Sequence, residues 1–296
     1  MPDLRVAVDA GGTFTDVCIY NSSTQEFRVT KVPSTPNNPM QAVLDGVKRG
    51  EIELADVDLF FHGTTVATNA LITRRFPKAS LVTTKGFRDV IEIRDGTKDN
   101  LWDAYADVSG PYIRRRDRFE VTERVDYAGQ VVTPLNEEEA RELARKLKRR
   151  GTTTIAVCFI NSYANMQNEQ RMREILEEEI PGANVSTSSE ILPEIFEHDR
   201  FNTAVANTVL GPLVYEYVKQ LDDELSAGGY TNDLLLLHSG GGSMTPAMAK
   251  HYPVRLAASG IAAGAIAAKH IAEQCGYQNA VGLDMGGTST DILIWQ

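Results

Sequence analysis

Cysteine is scarce in this sequence, with three in 296 residues, Cys18, Cys158 and Cys275. The number is odd and no Cys-x-x-Cys occurs, which argues against a disulfide framework or a cysteine zinc cluster. Each lies in an apolar or small-residue run, where a buried thiol is expected. No apolar run approaches the ~18 residues of a membrane span. Nothing at the start resembles a signal peptide, because "MPDLRVAVDAGG" runs straight into a strand and a turn, so a cytoplasmic location and no membrane partner are expected. Positive charge is also in deficit: 30 Lys and Arg against 40 Asp and Glu leave a net charge of −10. That balance argues against nucleic acid or an anionic membrane as main partner. It leaves room for anions held by locally neutral, glycine-rich backbone. What remains, 42% hydrophobic and 24% charged residues, is the composition of a soluble globular protein of one large or two ordinary domains.

The pattern alternates strands with helices. "LRVAV", "DVCIY" and "FRVTKV" read as a meander turned at Gly11-Gly12 and at Asn21-Ser22-Ser23. "MQAVLDGVKRG" reads as a helix ending at glycine, and "LFFHGTTVATNALITRR" as a buried strand feeding a helix. Residues 112–132 read as a hairpin turned at Ala128-Gly129. "NEEEARELARKLKRR" is amphipathic with acids first and bases last, matching the helix dipole. "TTTIAVCF" is a continuous apolar strand covered on both faces, followed by the helical "QNEQRMREILEEEI". Residues 196–227 read as a long helical stretch broken near Gly211-Pro212, and "SGIAAGAIAA" as a helix whose Gly260 and Gly264 permit a close helix–helix approach.

One internal repeat stands out. "DAGGTFTDVCIY" (9–20) and "DMGGTSTDILIW" (284–295) share seven of twelve residues at equal offsets. Glycines there admit φ > 0 and close backbone approach, and successive N–H groups around such a turn suit phosphate oxygens. Thr13, Thr15, Thr288 and Thr290 add hydroxyl donors, while Asp9 and Asp284 are hard oxygen ligands suited to Mg²⁺. A turn needs glycine but not that polar set, so the pair reads as two phosphate clamps built from Gly11, Gly12, Thr13, Thr15 and Asp16, and from Gly286, Gly287, Thr288, Ser289, Thr290 and Asp291.

The pair resembles the two phosphate loops of the superfamily of sugar kinases, heat-shock-chaperone ATPases and actin. Within it, "VDAGGTFTDV", "HGTTVATNAL", "LVTTKGFRDVIEI", "RFEVTERVD", "AVCFINSYAN", "SSEILPEIFEHDR" and "LDMGGTSTDI" resemble the hydantoinase A and 5-oxoprolinase family across essentially the whole chain. "GTKDNLWDAYADVSGPYIRRRDR" and "VRLAASGIAAGAIAAKHI", with Ser259-Gly260-Ile261 where many relatives have Ser-Gly-Pro, are similar to the branch of ATP-dependent ketone carboxylases. The resemblance implies an α/β, two-lobed actin/sugar-kinase-like ATPase fold with mixed sheets. Its expected parts are an N-terminal lobe over 1–195, a helical connection over 196–228 and the start of a second lobe over 229–296. Family relatives continue past the second hairpin. The second lobe is therefore expected to be incomplete in this chain, with Leu293–Trp295 as an exposed edge and another polypeptide or segment completing it.

The resemblance further implies ATP with Mg²⁺ (or Mn²⁺) anchored by Asp9 and Asp284, or one of these orienting the attacking oxygen. It implies other subunits of a hetero-oligomer, bicarbonate, and a ketone or, in the amidase branch, a cyclic amide as substrate. A chaperone- or actin-like conformational ATPase is the non-enzymatic alternative. His62, Gly63, Thr64 and Thr65, with Asn69 one turn into the helix, would face the γ-phosphate or the activated substrate oxygen. The structural alternative is an N-cap by Thr64 or Thr65 with His62 packed beneath it. His238 to Gly242 reads equally as a nucleotide-facing loop or a tight turn. Glu197 to Arg200 reads as a helix-start polar cluster, and Arg114, Arg115, Arg116 and Arg118 as a solvated strand or an anion-receiving patch.

Overall fold

The computed structural model describes residues 4–35, 39–96, 100, 102–106, 108–285 and 290–295. Its contacts divide the chain into two units, residues 1–73 with 213–296, and residues 74–212. The first unit is discontinuous in sequence and the second is one continuous segment, whereas the sequence led to an expectation of three consecutive parts bounded at 195 and 228.

The first unit begins with β1 (Leu4–Ala10), β2 (Phe14–Asn21), β3 (Glu26–Pro33), α1 (Pro39–Arg49), β4 (Val57–Thr64) and α2 (Val66–Thr73). In β1 burial alternates, with Val6, Val8 and Ala10 inside and Arg5, Ala7 and Asp9 outside, the period-2 signature of a half-covered strand. α1 lies on β2 and β3 with Val43 and Val47 buried.

The second unit holds β5 (Ala79–Thr84), α3 (Val90–Ile93), β6 (Arg118–Val121), β7 (Arg124–Val125), β8 (Val131–Thr133), α4 (Glu137–Arg149), β9 (Thr154–Cys158), α5 (Gln167–Glu179), β10 (Asn184–Thr187) and α6 (Ser188–Ile191). β10, β9, β5 and β6 form a four-stranded, wholly parallel sheet. β5 and β9 are buried along their whole length, as their unbroken apolar patterns require. α4 and α5 cover this sheet through Leu143, Leu147, Met172 and Leu176, packed with Val82, Ile155, Val157 and Phe159. Asn136 caps α4, its Oδ1 accepting from Glu139 N–H at 3.2 Å. The expected long hairpin shrinks to β7 and β8, because β6 pairs parallel with β5 instead.

α7 (Glu197–Ala227) runs unbroken through Gly211-Pro212, correcting the expected break. Pro212 lacks the N–H that would reach the carbonyl of Thr208. Asn184 Nδ2 supplies a donor to that carbonyl at 3.4 Å, and a Cβ on Gly211 would overlap it. The glycine thus admits the side chain that offsets the proline.

The chain then returns to the first unit with β11 (Leu234–Leu237), β12 (Ser243–Met244), α8 (Pro246–His251), α9 (Ser259–Gln274), β13 (Ala280–Met285) and β14 (Thr290–Trp295). β11 pairs parallel with β4, which completes a mixed six-stranded sheet in the order β12-β11-β4-β1-β2-β3. β13 and β14 form a separate antiparallel pair against α9. The small-residue face of α9 meets this hairpin rather than another helix. A Cβ at Gly264 would stand 3.3 Å from Leu293, and one at Gly282 would stand 3.1 Å from Ala268. In β14, Ile294 and Trp295 are exposed and Leu293 is half-buried.

Candidate functional site

The first glycine turn is braced from one side and open on the other. Gly11 N–H donates to Phe14 O at 3.1 Å, closing the turn. Ser34 holds it from β3's end: its N–H donates to Thr13 O at 2.9 Å and its hydroxyl to Gly11 O at 2.7 Å. Thr15 is fully buried and bonds to the Ser34 hydroxyl at 2.9 Å, so its hydroxyl braces the turn. Gly12 and Thr13 are exposed and carry the groups left for a ligand. Gly11 does not take the left-handed φ expected from its sequence context.

Register makes the repeat physical. Asp9 stands directly across from Asp16 and Ala10 from Thr15. In the second hairpin Asp284 stands across from Asp291 and Met285 from Thr290. Both hairpins therefore place an Asp pair on one face of two adjacent strands, an arrangement of like charges that is unfavourable without a counter-charge. Lys31 supplies one, pairing with Asp16 at 2.9 Å. Gly286, Gly287, Thr288 and Ser289 lie outside the described residues, while Thr290 is exposed and Asp291 half-buried.

The two hairpins meet electrostatically at Asp9. Its carboxyl is held above the usual carboxylate range by loss of hydration, then by the charges of Asp16 and Asp284, with Lys31 opposing. Asp9 is exposed by surface area yet crowded, because Oδ1 lies where a Cβ on Gly63 would come within 3.1 Å. The like charges give the upward direction a second cause that does not depend on burial. Glycine at 63 is what lets the carboxylate lie along β4.

β4 runs parallel beside β1, setting Gly63 opposite Asp9 and Thr64 opposite Ala10. Thr65 Oγ1 donates to Ala10 O at 3.4 Å and accepts from Asn69 Nδ2 at 3.1 Å. Thr64 Oγ1 accepts from Val66 N–H at 3.2 Å, the local turn that opens α2. His62 is sealed from solvent, with Nε2 2.6 Å from the Tyr217 hydroxyl and Nδ1 without a hydrogen-bond partner. Burial lowers its pKa to about 4. Burial likewise pushes the Tyr217 phenol up to about 12, with a hydrogen bond from Thr64 opposing and the charge of Asp9 reinforcing. His62 thus packs beneath the turn, sealed against Tyr217. α9 is pinned to the same turn: Ser259 Oγ donates to Thr64 O at 3.3 Å and Ala258 N–H to Thr68 Oγ1 at 2.8 Å. The tie draws Ala258 into the left-handed region at φ 59°.

Asp9, Asp16, Gly63, Thr64, Thr65 and Asn69 are brought together, and Asp284 comes within electrostatic reach of Asp9. Tyr217 and Ser34 escaped the sequence reading, since neither lies in a glycine motif, and Ser259 entered it only as a mark of the carboxylase branch and the start of a helix. The remaining sequence candidates sort by burial. Arg118 is buried, donating to Ile113 O at 3.0 Å and to Glu92 at 2.6 Å, which corrects its reading as part of a solvated strand. Arg115 forks onto Asp89 with both bonds at 2.9 Å. Arg200 is fully buried, donating to Phe159 O at 3.1 Å and Ser188 Oγ at 3.2 Å, while His198 faces Asp95 and Asp199. All three cysteines are free; Cys158 is buried, but Cys18 is half-buried and Cys275 exposed, against the expectation for all three.

The fold and site define an α/β protein with mixed sheets that presents two equivalent Asp-bearing glycine hairpins. The chain belongs to the hydantoinase/oxoprolinase family: its N-terminal region pattern matches residues 5–180 and its hydantoinase/oxoprolinase pattern residues 200–296. An uncharacterized protein of Methanocaldococcus jannaschii, MJ0964, is 38% identical over 96% of this chain and 42% of its own length. The acetophenone carboxylase gamma subunit of Aromatoleum aromaticum is 33% identical over 98% of this chain and 42% of its own. The solved structure of nucleotide-free acetone carboxylase, an ATP-dependent enzyme, superposes with a TM-score of 0.89 at 27% identity, over 100% of this chain and 44% of that one. ATP-dependent caprolactamase from Pseudomonas jessenii superposes with a TM-score of 0.85 at 30% identity, over 98% and 43%. The chain spans less than half the length of the relatives it matches. No described helix is long and apolar enough to cross a membrane.

Proposed function

We propose that this chain is the ATP-binding part of an enzyme that phosphorylates a carbonyl substrate, with a ketone carboxylase as the leading assignment. The observation that carries the reading is the pair of register-matched Asp hairpins whose leading carboxylates act on one another at Asp9. Phosphoryl transfer asks mainly for positioning and charge neutralisation. Gly12, Thr13 and Thr290 would offer donors to phosphate oxygens. The charge balance suits a divalent cation: Asp9 and Asp16 stand opposite each other on adjacent strands, Asp284 lies within electrostatic reach, and Lys31 is already paired with Asp16. Asp9 and Asp284 would hold Mg²⁺ or Mn²⁺, which supplies charge neutralisation on the phosphates when bound. Asp16 and Thr15 brace the first turn, and Thr64 and Thr65 present the helix N-terminus of α2 beside it. In this assignment ATP phosphorylates a ketone-derived enol and bicarbonate, both phosphoryl groups leave as inorganic phosphate as the new C–C bond forms the β-keto acid, and partner subunits complete the assembly.

The likeness to caprolactamase favours a second reading, ATP-dependent opening of a cyclic amide, in which the amide oxygen is the phosphoryl acceptor. Both share the nucleotide site. Turnover separates them: the complete assembly is supplied with ATP, bicarbonate and acetone or acetophenone, against ATP with caprolactam, hydantoin or 5-oxoproline. Consumption of only the cyclic amide removes the carboxylase assignment. Undiminished Mg·ATP binding after Asp9→Asn with Asp284→Asn removes the shared nucleotide site.

A further inference from the structure

A cavity of about 330 Å³ opens between the glycine loop after β11 and the face of α9, within the first unit. That volume lies within the range of small-molecule sites. Its walls are apolar: Leu237 from β11 faces Ala263, Ile266 and Ala267 from α9. One wall residue, Ser259, donates its hydroxyl to the Thr64 carbonyl, so the cavity adjoins the His62–Thr65 turn through a direct hydrogen bond.

Among the described residues, no lysine, arginine, aspartate or glutamate lines it, and its ionisable lining side chains are His238 and His270. Gly240 N–H donates to His238 Nδ1 at 3.0 Å, and Gln274 Nε2 lies 3.1 Å from His270 Nε2. With no lysine or arginine among the described lining residues, a carboxylate placed there would meet no fixed cation, and its desolvation against apolar walls would go uncompensated.

We propose that this cavity receives the organic substrate of the proposed phosphorylation, and that it selects an uncharged carbonyl compound with a small apolar body, a ketone or an unsubstituted lactam. Substrates bearing a carboxylate, such as 5-oxoproline, are disfavoured. The inference rests on the nucleotide-site reading above for the meaning of the adjacency to Thr64, and on the cavity's own chemistry for the choice of ligand.

The test is equilibrium binding to the full chain, with acetophenone, caprolactam and 5-oxoproline as separate probes at neutral pH. Mg·ATP affinity is measured on the same samples. Acetophenone or caprolactam is expected to bind with 5-oxoproline at least about tenfold weaker, the scale on which an unpaired buried charge discriminates. Ala263→Leu and Ala267→Leu, both helix-compatible, fill the cavity and are expected to weaken the neutral probes by at least about tenfold while Mg·ATP affinity holds within about twofold. Equal binding of 5-oxoproline, unchanged probe affinity in both leucine variants, or no binding of either neutral probe overturns the proposal. Absence of Mg·ATP binding by the unsubstituted chain counts instead against the nucleotide site.

Discussion

Replacing Asp9 by asparagine is expected to stabilise the ligand-free protein while weakening the proposed Mg·ATP site. Asp9 faces Asp16 across the strand pair and feels Asp284 from the second hairpin, and the Lys31 charge is already engaged by Asp16. A directly opposed like-charge pair costs roughly 0.2–1 kcal/mol. With Asp16 directly opposed, Asp284 acting from the other hairpin, and solvent screening at an exposed carboxylate, Asp9→Asn should gain about 0.5–1 kcal/mol, or a rise of about 2 °C in Tm for a chain of this size. Saturating Mg·ATP reverses the order, because ligand at 100 times its Kd stabilises the unsubstituted protein by about 2.7 kcal/mol and the variant loses most of that. The acid side carries its own sign. A carboxyl whose folded pKa is raised binds its proton earlier in the folded state, so the ligand-free protein gains stability relative to the variant as pH falls through the raised Asp9 pKa, and Mg²⁺ affinity falls in the same window. Differential scanning fluorimetry with and without Mg·ATP, repeated from neutral pH downward, reads all three effects. A variant less stable than its parent without ligand, or one stabilised equally by Mg·ATP, refutes the reasoning.

Three further outcomes follow from buried groups. His62, with a folded pKa of about 4 against an unfolded value near 6.5, should withdraw on the order of 3 kcal/mol of stability as pH falls from about 6.5 toward 4. Acid unfolding curves of the parent and His62→Gln should converge over that window, and parallel curves would contradict it. Gly211→Ala should destabilise despite a propensity gain of about 1 kcal/mol, because the new methyl overlaps Asn184; combining it with Asn184→Ala should recover that loss, giving a non-additive cycle in urea unfolding. Glu169 accepts from Phe159 N–H, Ser188 Oγ, Ser189 N–H and Ser189 Oγ at 2.6–2.8 Å while fully buried. Glu169→Gln turns one acceptor into a donor facing donors and should cost about 2–3 kcal/mol in chemical denaturation; a loss under about 0.5 kcal/mol would show the network to be loosely held.

Patterns with a short period were legible and held. β9 was readable as a strand covered on both faces, and the acids and bases of α4 marked that helix, whose Asn136 cap the structure added. The two hairpins were visible as a repeat, and their strands pair at equal register. Long-range consequences were not legible in the same way. Arg118 sits among charged residues that look solvated, yet packing of β6 beside β5 buries it. The break expected at Gly211-Pro212 is absent, because the compensating donor, Asn184, is 24 residues from the carbonyl it serves. Tyr217 carries no motif and reaches His62 only because α7 passes it.

The sequence by itself determined the local chemistry of this protein: which turns bear glycine, where carboxylates precede them, and which segments repeat. Those are properties of a few consecutive residues, set by backbone sterics and strand periodicity. Tertiary structure alone decided that 74–212 forms a unit inserted between two parts of the other, that Asp284 bears on Asp9, that His62 is buried against Tyr217, and that an apolar cavity adjoins the Thr64 turn. The reason is that electrostatic strength, hydration and cavity shape depend on distances between segments remote in the chain, and only packing sets those distances.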